Sequence, residues 1–326
     1  MAKIRFTRIL VSILKYLGLF ILFLLVGCVI FIASNFRDRH RGYGVDIVRE
    51  APGPVTVHAG FAIAPITPGV VDTWTDVLGN RQFRPAEGDT YEDVTGSGRF
   101  DAVWMAGFQS NKPAKGVHDD LWARAMALDD GHTRMVWVVL DAIGFFADDV
   151  VDVRKALPAS LGVDYLIISA THTHSAPDLL GIYGPTMFKS GVKTHYLDDV
   201  KRQIMAATEA AVKNLRPARF RFAEDREGAA AMIADTRKPI VVNPTLNMMQ
   251  AIDQETEQTL GTLVLWDNHP ETIWSDNSMI TSDFPHYLRE GIEKGIWHDD
   301  TLVMPGLGGV AIFATGNIGG LMTTHT

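Results

Sequence analysis

Three histidines carry the first chemical signal in this chain. The segment from Asp164 to Asp178 reads DYLIISATHTHSAPD, and its apolar run, Tyr165 to Ala170, feeds into Thr171-His172-Thr173-His174. In extended backbone alternate side chains share a face, so His172 and His174 are expected to project together, with Cβ atoms ~7 Å apart. Two imidazoles at a strand end suit two metal ligands, or one ligand and one proton shuttle. The plainer alternative is a pair of polar residues at an exposed strand end. A second segment, Gly261 to Glu290, has a similar layout: the apolar run Leu263 to Trp266 is followed by His269, and Pro270 stops the strand. A strand that ends in histidine presents the ring from a rigid element. Alone, His269 would read as structural; with His172 and His174 it makes a set of three imidazoles. All three could form a zinc site with an open position, or two could bind while the third acts as base, with further ligands from elsewhere. In either case the chemistry is activation of water. A bound Zn²⁺ lowers the pKa of water to about 7, and a neutral histidine can take the proton.

These residues need elements to hold them. Short runs rich in β-branched and aromatic residues predict strands at 56–64, 122–129, 134–141, 164–170, 218–223, 245–251, 260–267, 301–304 and 310–314. Helices are predicted at 146–157, 195–215 and 285–294. The clearest is 195–215, where Val200, Ile204, Ala207, Ala211 and Leu215 recur at helical spacing. Strands interleaved with helices imply an α/β body, a layered mixed sheet with flanking helices. Residues 69–115, rich in Gly, Asp and Pro, read as a long functional loop region. The last residues, GNIGGLMTTHT, follow an apolar strand and a glycine turn. That ending reads as a C-terminally incomplete piece of a longer protein.

The other end is a membrane segment by composition. Tyr16 to Phe36 is uncharged over 21 residues, enough for ~30 Å of helix, one bilayer core. The organisation expected is a basic flank at 1–15, a transmembrane helix at 16–36, a polar linker at 37–55 and a catalytic body at 56–326. Leu25-Val26-Gly27-Cys28 also fits a lipoprotein cleavage box, and a cleaved signal peptide is a further rival; the long apolar run favours an uncleaved anchor. Four basic residues precede the span, while three follow with one acid, which leans towards a body on the extracytoplasmic side.

The chain has 326 residues, 47% hydrophobic and 21% charged, a globular composition that excludes bulk disorder. Cys28 is the only cysteine, so an intrachain disulfide and a cysteine-rich zinc module are excluded. Residues 1–41 carry seven basic and one acidic side chain, a net +6, which leaves −14 of the total −8 on the other 285 residues. So acidic a body makes no nucleic-acid partner expected.

Several stretches together resemble the N-terminal catalytic domain of the neutral (non-lysosomal) ceramidase family. They are Gly60-Phe61-Ala62-Ile63-Ala64-Pro65-Ile66-Thr67-Pro68, Gly116 to Ala125 (GVHDDLWARA), Val139-Leu140-Asp141, Ala170 to Pro177 (ATHTHSAP), the His269 motif through Asp283, and Gly316-Asn317-Ile318-Gly319. They span about residues 57–320 in the family's order. The resemblance implies a zinc amidohydrolase that splits an N-acyl sphingoid lipid into fatty acid and amine. It implies His172 and His269 as zinc ligands, His174 as the proton-transfer residue, and Arg237 near the substrate headgroup. It also implies further ligands, a glutamate and a tyrosine, beyond the end of this chain. His118, Arg124 and Asp141 lie in matching motifs and read as structural, with an Arg–Asp ion pair bracing the site. One departure stands out: Met322 falls where the family has an active-site serine, and a thioether neither donates a strong hydrogen bond nor serves as this nucleophile.

Other motifs point elsewhere and fail. Gly306-Leu307-Gly308-Gly309 lacks the Gly-Lys-Ser/Thr close of a phosphate loop. There is no G-x-S-x-G elbow and no H-E-x-x-H. The function expected is therefore a membrane-anchored zinc amidase acting on a lipid amide. The alternative is an inactive, tethered lipid-binding or interaction protein that retains the fold.

Overall fold

The computed structural model describes residues 2–35, 37–50, 53–69, 72–186, 188–319 and 322–324. The chain forms two compact units, Met1–Ile47 and Val48–Thr326. The first holds helix α1, Ala2–Asn35, and its stretch Ile9–Ser34 is long and apolar enough to cross a membrane. The expected span falls within that helix except for Phe36, which lies outside the described residues.

The second unit is built on eight strands: β1 (His58–Pro65), β2 (Trp122–Asp129), β3 (Arg134–Leu140), β4 (Tyr165–Ala170), β5 (Arg216–Asp225), β6 (Leu246–Asp253), β7 (Thr259–Trp266) and β8 (Val310–Thr315). Their order in the sheet is β8-β7-β6-β5-β1-β2-β3-β4. The outer pairs, β3 with β4 and β7 with β8, are parallel. The inner pairs are antiparallel. The seam between the halves is narrow: β1 meets β5 only at His58↔Pro217 and Ala59↔Arg216.

Residue size explains the layering. Ala62 and Ala64 on β1 and Ala123, Ala125 and Ala127 on β2 face one cluster, together with Ala207 and Ala211 of helix α3 (Thr194–Lys213). Small side chains on both surfaces let the helix seat closely. Gly60 takes this to its limit, since a Cβ there would collide with the Ala211 carbonyl. The opposite face carries Ala59, Phe61, Met126 and Val139, which pack against Ala218, Ala251, Leu263, Ile312 and Ala314 from β5–β8. The two halves of the sheet thus lie face to face. Helix α4 (Phe284–Lys294) covers the outer side of β7 and β8 through Phe284, Leu288 and Ile292, against Val264, Trp266 and Phe313. Helix α2 (Ala147–Ala156) adds Val153 to the α3 side. The result is a helix–sheet–sheet–helix α/β body, the mixed layered sheet with flanking helices that the sequence predicts.

Strand and helix positions agree with expectation to within a few residues. The ion pairing does not. Asp141 is held by Arg289, at 2.8 and 3.0 Å, whereas Arg124 crosses the sandwich to the Ala311 carbonyl at 2.8 Å and to Glu293 at 2.5 Å. Both side chains reach α4, Asp141 meeting Arg289 and Arg124 meeting Glu293. Residues 69–115 also depart from a plain loop. They contain the paired strands Thr73–Trp74 and Tyr91–Glu92 and a cluster of Trp74, Phe83, Tyr91, Phe100 and Trp104. Its aspartates serve as turn acceptors: Asp93 takes the amides of Ser97 and Gly98, and Asp72 those of Val94 and Asp101.

Candidate metal centre

The loops after β4 and β7 meet at the three histidines. The ring centroids of His172 and His174 are 5.0 Å apart, those of His172 and His269 5.1 Å, and those of His174 and His269 5.6 Å. One ring nitrogen from each lies within 4.8 Å of the others. Residues 97 apart in sequence are therefore brought into one cluster, in a place from which water is largely excluded.

The route differs from the expected one. The strand ends at Ala170, and His172 has a left-handed backbone with φ 67°, not an extended one. A residue with a Cβ in that region costs about 1–2 kcal/mol, so its neighbours must hold it. The His172 amide donates to the Ala142 carbonyl at 2.9 Å, and its Nδ1 bonds the Ile143 carbonyl at 2.6 Å. The preceding Thr171 amide still donates to Leu140. The chain leaves the sheet by curling over the end of β3, and that curl, not strand alternation, aims the ring.

His269 is fixed in the same manner. Its amide donates to the Met322 carbonyl at 3.1 Å and its Nδ1 bonds the same oxygen at 2.6 Å. With Nδ1 engaged by a carbonyl, Nε2 is the ligating nitrogen that both His172 and His269 have to offer, the usual arrangement behind a metal-bound imidazole. Met322 belongs to the short strand Met322–Thr324, which pairs with Ile233–Asp235. Its side chain packs with Val264, Trp266 and Phe313, while its sulfur accepts the Asn243 amide. Met322 thus contributes a backbone carbonyl to the cluster and a side chain to the core. Gly320 and Leu321, just before it, lie outside the described residues.

His174 is held by its backbone, whose amide donates to Pro270 at 3.1 Å. Phe108 covers its ring, with centroids 5.0 Å apart, and Trp274 lies beyond Phe108 at 5.9 Å. The close approach depends on Gly107: φ is 137°, and a Cβ there would strike the His174 carbonyl. Both ring nitrogens of His174 are buried with no hydrogen-bond partner among the described residues. Burial lowers the pKa of His174 to about 3, helped by the neighbouring imidazoles and by Lys112. Burial also lowers that of His172, against the pull of the Ile143 carbonyl. Both rings are thus neutral at pH 7, the form in which imidazole binds a cation or accepts a proton.

Three inward-facing imidazoles, two of them with Nδ1 already engaged, fit a borderline-soft cation such as Zn²⁺. Arg237 is not part of this cluster. It is exposed, on the turn after Ile233–Asp235, and donates to the Gly319 carbonyl at 2.8 Å. Sequence reasoning missed Lys112, 1% exposed, whose Nζ donates to the Ser275 carbonyl at 3.0 Å. It also missed Glu271, whose carboxylate lies 3.3 Å from His174. A Pro-Glu dipeptide directly after His269 was the available signal. A cavity of about 730 Å³ lies nearby, lined by residues including Trp104, Pro177, Lys193 and Tyr196, but none of the three histidines lines it.

Behind the centre, a buried polar network fixes the approach to α4. Asp119 accepts from Thr281 and from the amide and hydroxyl of Ser282. Arg289 joins Ser282 to Asp141. Asp283 adopts φ 65°, ψ −152°, a region almost confined to glycine. Its carboxylate caps Phe284 and also accepts the Thr272 amide, so the strained residue is tied to the loop that carries His269 and Glu271.

Comparison with known proteins agrees with this architecture. Residues 87–324, well over half the chain, match the family described as neutral/alkaline non-lysosomal ceramidase, N-terminal. The Gly60 motif lies before the matched stretch. Two solved structures share the fold. One is a neutral ceramidase from Pseudomonas aeruginosa, at TM-score 0.61 and 20% identity, covering 84% of this chain and 40% of that one. The other is a ceramidase complexed with C2, at TM-score 0.60 and 21% identity, covering 83% of this chain and 39% of that one. The chain thus spans about 40% of the length of the solved proteins it matches.

Proposed function

The chain belongs to the neutral/alkaline non-lysosomal ceramidase family, and from that premise we propose that it supplies the metal-binding half of a hydrolase that cleaves the amide of an N-acyl sphingoid or related lipid. The observation that carries this reading is the convergence of His172, His174 and His269. His172 and His269 would hold the ion through Nε2, their Nδ1 positions being taken by the Ile143 and Met322 carbonyls. Zn²⁺ in such a site supplies a Lewis acid that makes water a nucleophile near neutral pH. His174, buried and neutral, takes the proton as water oxygen adds to the acyl carbon, and returns it to the amine as the C–N bond breaks. Arg237, exposed and held by the Gly319 carbonyl, would contact the substrate headgroup, as the resemblance implies. A membrane anchor in α1, joined by a linker over 37–55, suits a substrate that resides in a bilayer, with the body on the extracytoplasmic side.

The test uses the full chain in detergent micelles, loaded with Zn²⁺, and a fluorescent N-acyl sphingosine. Fatty acid release is expected, along with a loss of zinc in His172→Ala and His269→Ala. His174→Ala should keep its zinc and lose about 10²–10⁴-fold in rate. Equal zinc in the parent, His172→Ala and His269→Ala would refute the site.

A further inference from the structure

All three imidazoles turn Nδ1 towards an oxygen. For His172 and His269 that oxygen is a backbone carbonyl. For His174 it is Oε2 of Glu271, 3.3 Å away; the contact falls short of a hydrogen bond, but no other acceptor reaches either ring nitrogen among the described residues. Both side chains are largely enclosed, 14% and 12% exposed. Glu271 forms no ion pair with a lysine or arginine among the described residues, an unusual condition for a carboxylate so far from water. The turn that carries it also takes the His174 amide, through the Pro270 carbonyl. Backbone and ring of His174 are therefore addressed by one dipeptide, Pro270-Glu271.

We propose that Glu271 is the positioning residue of His174: its carboxylate accepts the Nδ1 proton and so fixes the tautomer whose Nε2 is the basic nitrogen. A carboxylate behind an imidazole both orients the ring and raises its basicity. The consequence for proton transfer rests on the hydrolase reading above; the tautomer itself does not.

The experiment takes the full chain in detergent micelles with ¹⁵N-labelled histidine, with and without Zn²⁺, the His174 signals being assigned by their absence in His174→Ala. In the parent protein Nδ1 is expected as the protonated nitrogen. Glu271→Gln keeps an acceptor oxygen at the same place and should preserve that tautomer. Glu271→Ala should shift the proton to Nε2 or to a mixture, and Glu271→Asp, which withdraws the carboxylate by one methylene, should do the same while remaining anionic. Zinc content is expected to stay equal throughout. On the N-acyl sphingosine probe, Glu271→Ala should lose at least about tenfold in kcat with KM within about twofold, and Glu271→Gln should fall between. An unchanged His174 tautomer in both Glu271→Ala and Glu271→Asp would overturn the proposal. So would a loss of zinc in the Glu271 variants, which would make Glu271 a ligand. A parent protein that holds the expected tautomer but does not hydrolyse the probe would refute the hydrolase reading and leave the positioning role standing.

Discussion

Removal of Arg289 gives the sharpest measure of the scaffold behind the centre. Its guanidinium is 2% exposed and donates to both Asp141 oxygens, at 2.8 and 3.0 Å, and to the Ser282 hydroxyl at 2.8 Å. In Arg289→Met the Asp141 carboxylate, 1% exposed, keeps the Trp122 amide as its remaining donor at 2.9 Å. A buried charge left without its partner costs about 3–5 kcal/mol. At about 2–4 °C per kcal/mol for a body of this size, Tm should fall by about 6–20 °C. The double variant Arg289→Met with Asp141→Asn carries no stranded charge and should recover part of the loss, to a cost of about 1–2 kcal/mol. All seven tryptophans lie between Trp74 and Trp297, so tryptophan emission during urea unfolding of the full chain reports the body rather than α1. A cost below about 1 kcal/mol for the single variant, or equal costs for single and double, would refute the argument that an unpaired buried carboxylate sets the loss.

Three further outcomes follow from the geometry. Gly107→Ala should lower both Tm and the hydrolysis rate, because φ 137° is strained for alanine and its Cβ meets the His174 carbonyl; thermal melts and rates on the N-acyl probe check it. Met322→Ser should cost about 2–4 kcal/mol, since it empties a core position among Val264, Trp266 and Phe313, and should not raise activity; urea titration and the same probe decide. Burial holds the Lys112 pKa at about 8, below the ~10.4 of a free lysine. Between those values the unfolded chain binds more protons than the folded one, so stability should rise from pH 8 to 10, by at most about 3 kcal/mol. Lys112→Met should be more stable than the parent at pH 7 and should flatten that rise, as read from denaturation midpoints across pH.

Much of the scaffold was legible because its signals are local. The run Trp122–Asp129 alternates two buried faces and reads as a strand on its own, and α3 shows its apolar stripe directly. The short ladders at Gly116–Val117, Met279–Ile280 and Met322–Thr324 were not legible, since two or three residues carry no period. The strand Gly295–His298 escaped for another reason: its hairpin turns at Asp299-Asp300, with φ 44° and 60°, where sequence reasoning looks for Asn-Gly. At the site, the histidines could be picked out by type and spacing. Their means of orientation could not, because the Ala142, Ile143 and Met322 carbonyls come from elsewhere in the chain. The same limit applies to Asp141: sequence offers several arginines, and only the packing of α4 selects Arg289.

The narrow join between the two halves of the sheet gives the histidine cluster a second importance. His172 follows β4 in one half and His269 follows β7 in the other, while the backbone ladder between halves is two residue pairs long. A cation gripped from both sides would act as a rivet through the sandwich, so its withdrawal by a chelator would loosen the molecule well away from any reacting bond. Amide exchange along His58–Ala59 and Arg216–Pro217's neighbours would then quicken first, making metal supply a matter of mechanical integrity as much as of turnover.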